Sequence, residues 1–343
     1  MTPRQPRPRA DLPQLPFLVR DAVANGIPPG ALRSRSLHTP VPGVRMDADL
    51  ADDLVAVCRA VALLLPGGAA FSHLTAARLW KLPVSAAAEQ RQELHVTGAG
   101  ADRVLRTPRV VAHRGLGAAE VTSTKGVPVT SPGRTWRDLG AVDLAADGHP
   151  VAGVEPDHEE LVVLTDALLS CHPLTDLPRY GLRPRDLVSI VRSIPGERGV
   201  GRLRRALAEA STFVDSSMET RTRLRAIASG FPRPVVGADL VGPDGAWIAR
   251  PDLCWPQVRV AIEYDGASHV SRSRLGSDTA RREAMERYGW RSVVLYATDV
   301  GARWWVTCER LREAFALQGC PDPARIPPAI RALERPRIVG VPL

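Results

Sequence analysis

Apolar residues at three- and four-residue spacing between positions 49 and 65 (Leu50, Leu54, Val57, Val61, Leu64) predict an amphipathic helix there. The segment FSHLTAARLWKLP predicts a second helix, stopped by Pro83. ELHVTG and TPRVVAHRG read as strands, and GVPVTSPGRTWRDLG as a strand, a Ser-Pro turn and a helix. Leu-rich helices are expected at 161–169 and 185–194, followed by a glycine-rich break, PGERGVGR. The main division of the chain is expected between 174 and 202.

The last 140 residues or so have clearer periodicity. GRLRRALAEA and SSMETRTRLRAIASG predict two helices, the second opened by a capping box from Ser216 to Glu219 and closed at Gly230. Strands are expected at 235–239, 246–252, 258–264 and 291–296, all in one sheet. Flanking helices contain Glu219 and Arg282, giving an α-β-β-β-α-β-α order and an α/β fold. In VRVAIEYD, Val258, Val260 and Ile262 share one face, and Arg259, Ala261, Glu263 and Asp265 the other.

The opening is weaker in pattern. Residues 1–16 form a basic, proline-broken tail; PFLVRDAVANG and IPPGALRSRS predict two short helices, and SLHTPVPGVRM a strand or wing. That order fits a degenerate winged helix-turn-helix over 17–48, with a small capping element as the alternative. Arg33 and Arg35 fall on the second helix, where they would contact DNA phosphates together with Arg4, Arg7 and Arg9.

Length and charge narrow the classes. The 343 residues suit two domains, and 44% hydrophobic side chains exclude wholesale disorder. The net charge of +8 comes from 45 basic residues, of which only Lys81 and Lys125 are lysine. This permits a polyanionic partner without identifying one. Five scattered cysteines fit neither a disulfide framework nor a CxxC knuckle. With no apolar leader and no membrane-length stretch, a cytoplasmic protein without a membrane partner is expected.

Candidate chemistry concentrates in Asp252-x10-Glu263-x-Asp265-Gly-x-x-His269. Carboxylates two residues apart share a strand face, and a hairpin neighbour brings Asp252 beside them. Their mutual repulsion is relieved by a divalent cation, Mg2+ or Mn2+. His269 is suited to proton transfer. Each residue also has an ordinary role: Asp252 as a turn cap, and Tyr-Asp-Gly as a turn. Glu219 either caps its helix or faces the same metal. Arg282 either approaches a phosphate or lies on a solvated face. Arg221, Arg223 and Arg225 alternate around their helix and are not expected to share a partner.

The segments carrying Met218, Glu219, Arg223, Asp252, Trp255, Glu263, Asp265, Gly266, His269, Asp278, Arg282 and Trp290 resemble the DUF559-type, very-short-patch-repair-like branch of the restriction-endonuclease-like fold. The likeness runs from about 214 to 315 and implies a mixed sheet flanked by helices, acting as a magnesium-dependent DNA endonuclease. In the wider PD-(D/E)xK superfamily an aspartate and a glutamate bind the metal and a lysine helps activate water. Those roles map to Asp252 and Glu263, while Asp265 stands at the lysine position. The branch commonly has Asp-Gly there and uses a downstream histidine, here His269. Arginine cannot replace the lysine as a base.

The N-terminal half is similar, over FSHLTAARLWKLP, ELHVTG and GVPVTSPGRTWRDLG, to antitoxins of abortive-infection type IV toxin–antitoxin systems. This implies DNA binding, a cognate toxin and an α+β region over 49–195. The endonuclease-like domain is expected at 202–320 and a C-terminal extension at 321–343. The alternative to an enzyme is a non-catalytic regulator that uses the nuclease-like domain as a scaffold.

Overall fold

The computed structural model describes residues 12–99, 105–144, 153–171, 179–265, 272–329 and 336–339, with backbone alone over 272–279. The protein is mixed α/β, and its chain forms two compact units. One comprises Met1–Leu82 and Glu89–Leu139; the other comprises Pro83–Ala88 and Gly140–Leu343.

In the first unit, β1 (Phe17–Leu18) leads into helix α1 (Val19–Ala24), and β2 (Leu37–His38) and β3 (Val44–Asp47) follow. These strands form a small antiparallel sheet in the order β1-β3-β2. The expected second helix is only a 3-10 turn, Ala31–Arg33, and Arg35 lies beyond it in an exposed turn.

Helix α2 (Leu54–Ala62) is shorter than the periodicity suggests because Asp53 caps it, accepting from the amides of Val55 and Ala56. Next come β4 (Ala70–Phe71), α3 (His73–Leu79), α4 (Ala86–Gln90, whose first three residues belong to the second unit), β5 (Leu94–Gly98), β6 (Val110–Arg114), β7 (Val121–Thr124), β8 (Val127–Thr130) and α5 (Pro132–Leu139). Their sheet runs β6-β5-β4-β8-β7, with parallel β5/β6 and β4/β8 pairs. Cys58, Val61, Phe71, Val96 and Val129 fill its core. Lys81 and Lys125 both occupy left-handed turn positions, with φ of 57° and 50°.

The second unit begins earlier than the glycine-rich break suggests. Helices α6 (Pro156–Leu169), α7 (Pro184–Ser193) and α8 (Val200–Glu209) belong to it, and α9 (Ser217–Ala228) explains why. All three α9 arginines meet carboxylates of α6, each with a different nearest partner. Arg221 pairs with Glu160 at 2.6 Å, Arg223 with Asp166 at 2.6 Å, and Arg225 with Glu159 at 2.8 Å. Arg223 and Asp166 are almost fully buried, and Asp166 also accepts from Ser211 N and Thr220 Oγ1. Close backbone packing secures α8 as well. A Cβ on Gly199 would lie 2.2 Å from the carbonyl oxygen of Gly140.

Strands β9 (Val235–Val236), β10 (Asp239–Val241), β11 (Trp247–Ala249), β12 (Leu253–Trp255) and β13 (Val260–Tyr264) follow. Helix α10 (Arg272–Arg287), β14 (Arg291–Leu295), α11 (Ala297–Val300), α12 (Trp304–Leu317) and β15 (Arg337–Val339) complete the unit. The single sheet expected here is two sheets, β14-β13-β12-β9 and β11-β10-β15. The expected strand over 246–252 breaks at Arg250-Pro251. Its first part pairs with β10, and the partner of β13 starts only after Asp252. Proline has no amide to offer a ladder. Residues 337–339, expected in an extension, supply the parallel partner of β10.

Alternation along β13 is as expected. Val260 and Ile262 join Leu253, Trp255, Leu295 and Phe315 in one core, whereas Ala261 joins Cys254, Met285 and Trp290 in another. Val258 itself lies in a 3-10 turn rather than in the strand. Among the described residues, no helix is long and apolar enough to cross a membrane.

Candidate functional site

Antiparallel pairing sets Leu253 opposite Ile262 and Cys254 opposite Ala261, so the same register, extended by one residue, places Asp252 opposite Glu263. The carboxylate of Asp252 is anchored there: its Oδ2 accepts from the amide of Tyr264 at 2.6 Å. Glu263 shares the face of Ala261, toward α10, and is only 5% exposed. Arg281 Nε and Arg282 Nε each lie 3.3 Å from one of its oxygens. The first contact is an ion pair without a hydrogen bond, so buried Oε1 has no hydrogen-bond partner.

Glu219 lies in the first turn of α9. Ser216 accepts from the amide of Glu219 at 3.2 Å, and Glu219 Oε2 accepts from the amide of Asp215 at 2.9 Å. The capping reading therefore holds, with the glutamate reaching one residue further back than a standard box. Glu219 is also buried, and burial together with the nearby Asp252 charge raises its pKa to about 8. Burial, opposed by the Tyr264 amide and reinforced by Glu263, raises that of Asp252 to about 6. The structure thus brings Glu219, Asp252 and Glu263 into one electrostatic neighbourhood, and adds Asp215, which sequence reasoning missed.

The other expected residues fall differently. Asp265 is exposed; its amide donates to the carbonyl of Leu295 at 2.8 Å and ends the β13/β14 ladder. His269 lies outside the described residues, as do Arg4, Arg7 and Arg9. Arg282 joins the acidic group through Glu263 rather than lying on a solvated face. Arg33 and Arg35 are exposed.

A second group lies in the first unit. His73, His95 and His113 each place a ligand atom within 4.8 Å of the other two, the single such group of three among the described residues. The carboxylates around Asp252 therefore do not reach this closeness. His73 starts α3 from the left-handed region, at φ 50°, and its ring stacks on that of His113 with centroids 3.7 Å apart. Burial lowers the pKa of all three, that of His95 to about 4, with the neighbouring imidazoles adding to the effect on His73 and His95. Sequence reasoning missed this group. Its one legible trace was alternation in LHVTG and VVAHR, which fixes the face of each strand histidine but not that two strands and a helix start converge.

No family model and no solved structure matches the chain. Over 107 residues it is 32% identical to uncharacterized proteins MT2308 and Rv2248, from two strains of Mycobacterium tuberculosis. The match spans 31% of this chain and 39% of each relative, so the chain is similar over about a third of its length to proteins whose names state no activity.

Proposed function

We propose that the second unit contains a restriction-endonuclease-like domain and hydrolyses DNA phosphodiester bonds with the help of a magnesium ion. The observation that carries this reading is Asp252 held opposite Glu263 at the end of a buried strand pair, with Glu219 close enough to feel the charge of Asp252. An all-oxygen donor set under mutual repulsion, including a buried Glu263 oxygen without a hydrogen bond, suits a hard divalent cation. Asp252 and Glu263 would hold the ion, Mg2+ or Mn2+. When bound, it supplies positive charge to phosphate oxygens and acidifies water.

The chain's own groups have separable tasks. The Tyr264 amide fixes Asp252. Arg281 and Arg282 neutralise Glu263 in the metal-free site and are placed to balance phosphate charge when substrate enters. Glu219, with its raised pKa, keeps a proton at neutral pH. DNA as substrate, and His269 as the proton-transfer group, rest on the resemblance of the sequence. So does the antitoxin-like role of the first unit, with exposed Arg33 and Arg35 contacting phosphates and a toxin as partner.

One observation favours a second reading, a non-catalytic regulator. Glu263 already has two guanidiniums, and no three carboxylates among the described residues approach as closely as the histidines do. The deciding experiment incubates purified protein with supercoiled, linear, mismatched and single-stranded DNA in magnesium, manganese or EDTA. The nuclease reading expects cleavage that needs the ion and disappears in Asp252→Asn and Glu263→Gln, with folding retained. Cleavage unaffected by both substitutions removes the Asp252–Glu263 site, and DNA binding without any cleavage or ion binding favours the regulator.

A further inference from the structure

We infer that His73, His95 and His113 form a binding site for one borderline transition-metal ion, zinc above the others, separate from any magnesium chemistry in the second unit. Three elements converge to build it. Parallel β5 and β6 pair His95 with Val111 and Thr97 with His113, so both histidines project from the same face of the sheet. His73 closes the corner between β4 and α3 in a left-handed backbone conformation, a cost of about 1–3 kcal/mol that side chains tolerate chiefly where function or packing demands it. The donors are all imidazole, which suits zinc, copper or nickel and gives magnesium nothing it prefers.

The nitrogen spacing, though not yet the ring orientation, is close to that of a ligated set, since His73 stacks on His113 with centroids 3.7 Å apart. His95 Nδ1 and His113 Nε2 are 3.0 Å apart. Two nitrogens at 2.0–2.1 Å from a tetrahedral zinc are separated by about 3.3 Å. Without an ion, one of these nitrogens must carry a proton for the pair to be favourable; around an ion, both lone pairs point at the metal. The 4.8 Å limit on the full triad leaves ligand atoms up to about 1.5 Å further apart than around an ion, and binding also turns the His73 ring out of its stack on His113, because lone pairs lying in two near-parallel ring planes do not converge on one ion.

An outer layer is already in place. His73 Nδ1 lies 2.9 Å from Ser72 Oγ, which accepts from Thr97 Oγ1 at 2.7 Å, and Asp138 Oδ2 lies 3.8 Å from the same nitrogen. That Asp138 oxygen is buried and has no hydrogen-bond partner. A proton on Nδ1 would be donated to the Ser72 hydroxyl and leave Nε2 for the ion, with Asp138 too far at 3.8 Å for a hydrogen bond but near enough to favour positive charge, an outer layer of the kind that orients metal-bound histidines. Arg134 opposes a cation here, but its charge is met by Asp138 at 2.8 Å and by Glu120. Three protein ligands leave a fourth position for water or another donor.

The test uses the full chain, stripped with chelator and titrated with zinc against a chromophoric competitor, with cobalt as a spectroscopic probe. One ion per chain is expected, with a cobalt spectrum of nitrogen and oxygen ligation free of thiolate charge-transfer bands. Loss of an outer partner typically costs 10–100-fold in affinity, so His95→Ala and His113→Gln should each weaken zinc binding by about 100-fold or more. Circular dichroism and metal-free melting of each variant separate ligand loss from unfolding; His113 is the safer position because it is only half-buried. Asp252→Asn and Glu263→Gln should leave zinc affinity unchanged, so failure of the nuclease reading does not touch this one. Zinc affinity unchanged in folded His95→Ala and His113→Gln, thiolate bands in the cobalt spectrum, or no zinc uptake by the folded wild type would each overturn the inference.

Discussion

Glu219 turns the acidic site into a measurable pH response. Its pKa is about 8 in the folded protein against an ordinary 4.5, because burial and Asp252 both disfavour the anion. A folded carboxyl that holds its proton more tightly than the unfolded chain gives stability that is complete below about pH 4.5 and is lost as pH rises toward 8. At about 1.4 kcal/mol per pH unit, the stretch from 4.5 to 7 amounts to a loss of about 3 kcal/mol. Asp252, raised to about 6, acts with the same sign over a lower window, and the two titrate as a set rather than additively. Glu219→Gln keeps an acceptor for the Asp215 amide and removes this titration, so its stability should fall only through the lower Asp252 window and be nearly flat from about pH 6.5 to 8. It should exceed wild type at pH 8 by a few kcal/mol, less about 0.5 kcal/mol for the lost charge at a helix start. Urea unfolding in EDTA at four pH values, followed by tryptophan fluorescence, measures both curves. Magnesium should reduce the wild-type loss at the alkaline end, since a bound cation favours the ionised carboxylates. A flat wild-type profile, or a Glu219→Gln deficit that is the same at every pH, would refute the reasoning and leave Glu219 as an ionised cap.

Three further outcomes test the fold around the site. Arg223→Met strands Asp166 in the interior and should cost about 3–5 kcal/mol in urea unfolding, with Arg223→Met/Asp166→Leu recovering most of it; equal losses in single and double variants would count against a buried pair. Gly199→Ala combines a left-handed backbone at φ 86° with a clash against the Gly140 carbonyl, so a loss of about 2 kcal/mol or more is expected, read as a fall in melting temperature. If Arg33 and Arg35 contact DNA phosphates, replacing both with alanine should lower the slope of log K against log salt by about 1.8 and weaken binding to all duplexes alike; an unchanged slope removes them from the interface.

Local signals carried much of the second unit. The β13 strand, the faces of its residues, the Ser216 cap and the Pro243-Asp244-Gly245 turn all follow from spacing and turn chemistry. Strand partnership did not. Pro251 divides two three-residue strands that enter different sheets, and β15 pairs with β10 across nearly a hundred residues, where no local pattern operates. Residues 156–169 looked like the end of the first half because the arginines that partner their carboxylates lie some 60 positions later; only packing unites Glu159 and Asp166 with α9. At the site, Asp252, Glu263 and Glu219 were legible as a group because two share adjacent strands and the third opens a recognisable helix. Arg281 and the three histidines required the assembled fold, since each histidine alone has an ordinary sequence context.

The two lysines carry a practical consequence. Both occupy left-handed turns of the first unit, and every other basic side chain of the Lys/Arg set is an arginine. Apart from a chain terminus, amine-directed reagents can therefore mark only that unit. A fluorophore or isotopic tag placed through Lys81 or Lys125 reports on the histidine-bearing half while leaving the side chains of the Asp252–Glu263 half chemically untouched. Guanidinium-directed reagents do not discriminate in this way, because arginine occurs in both halves.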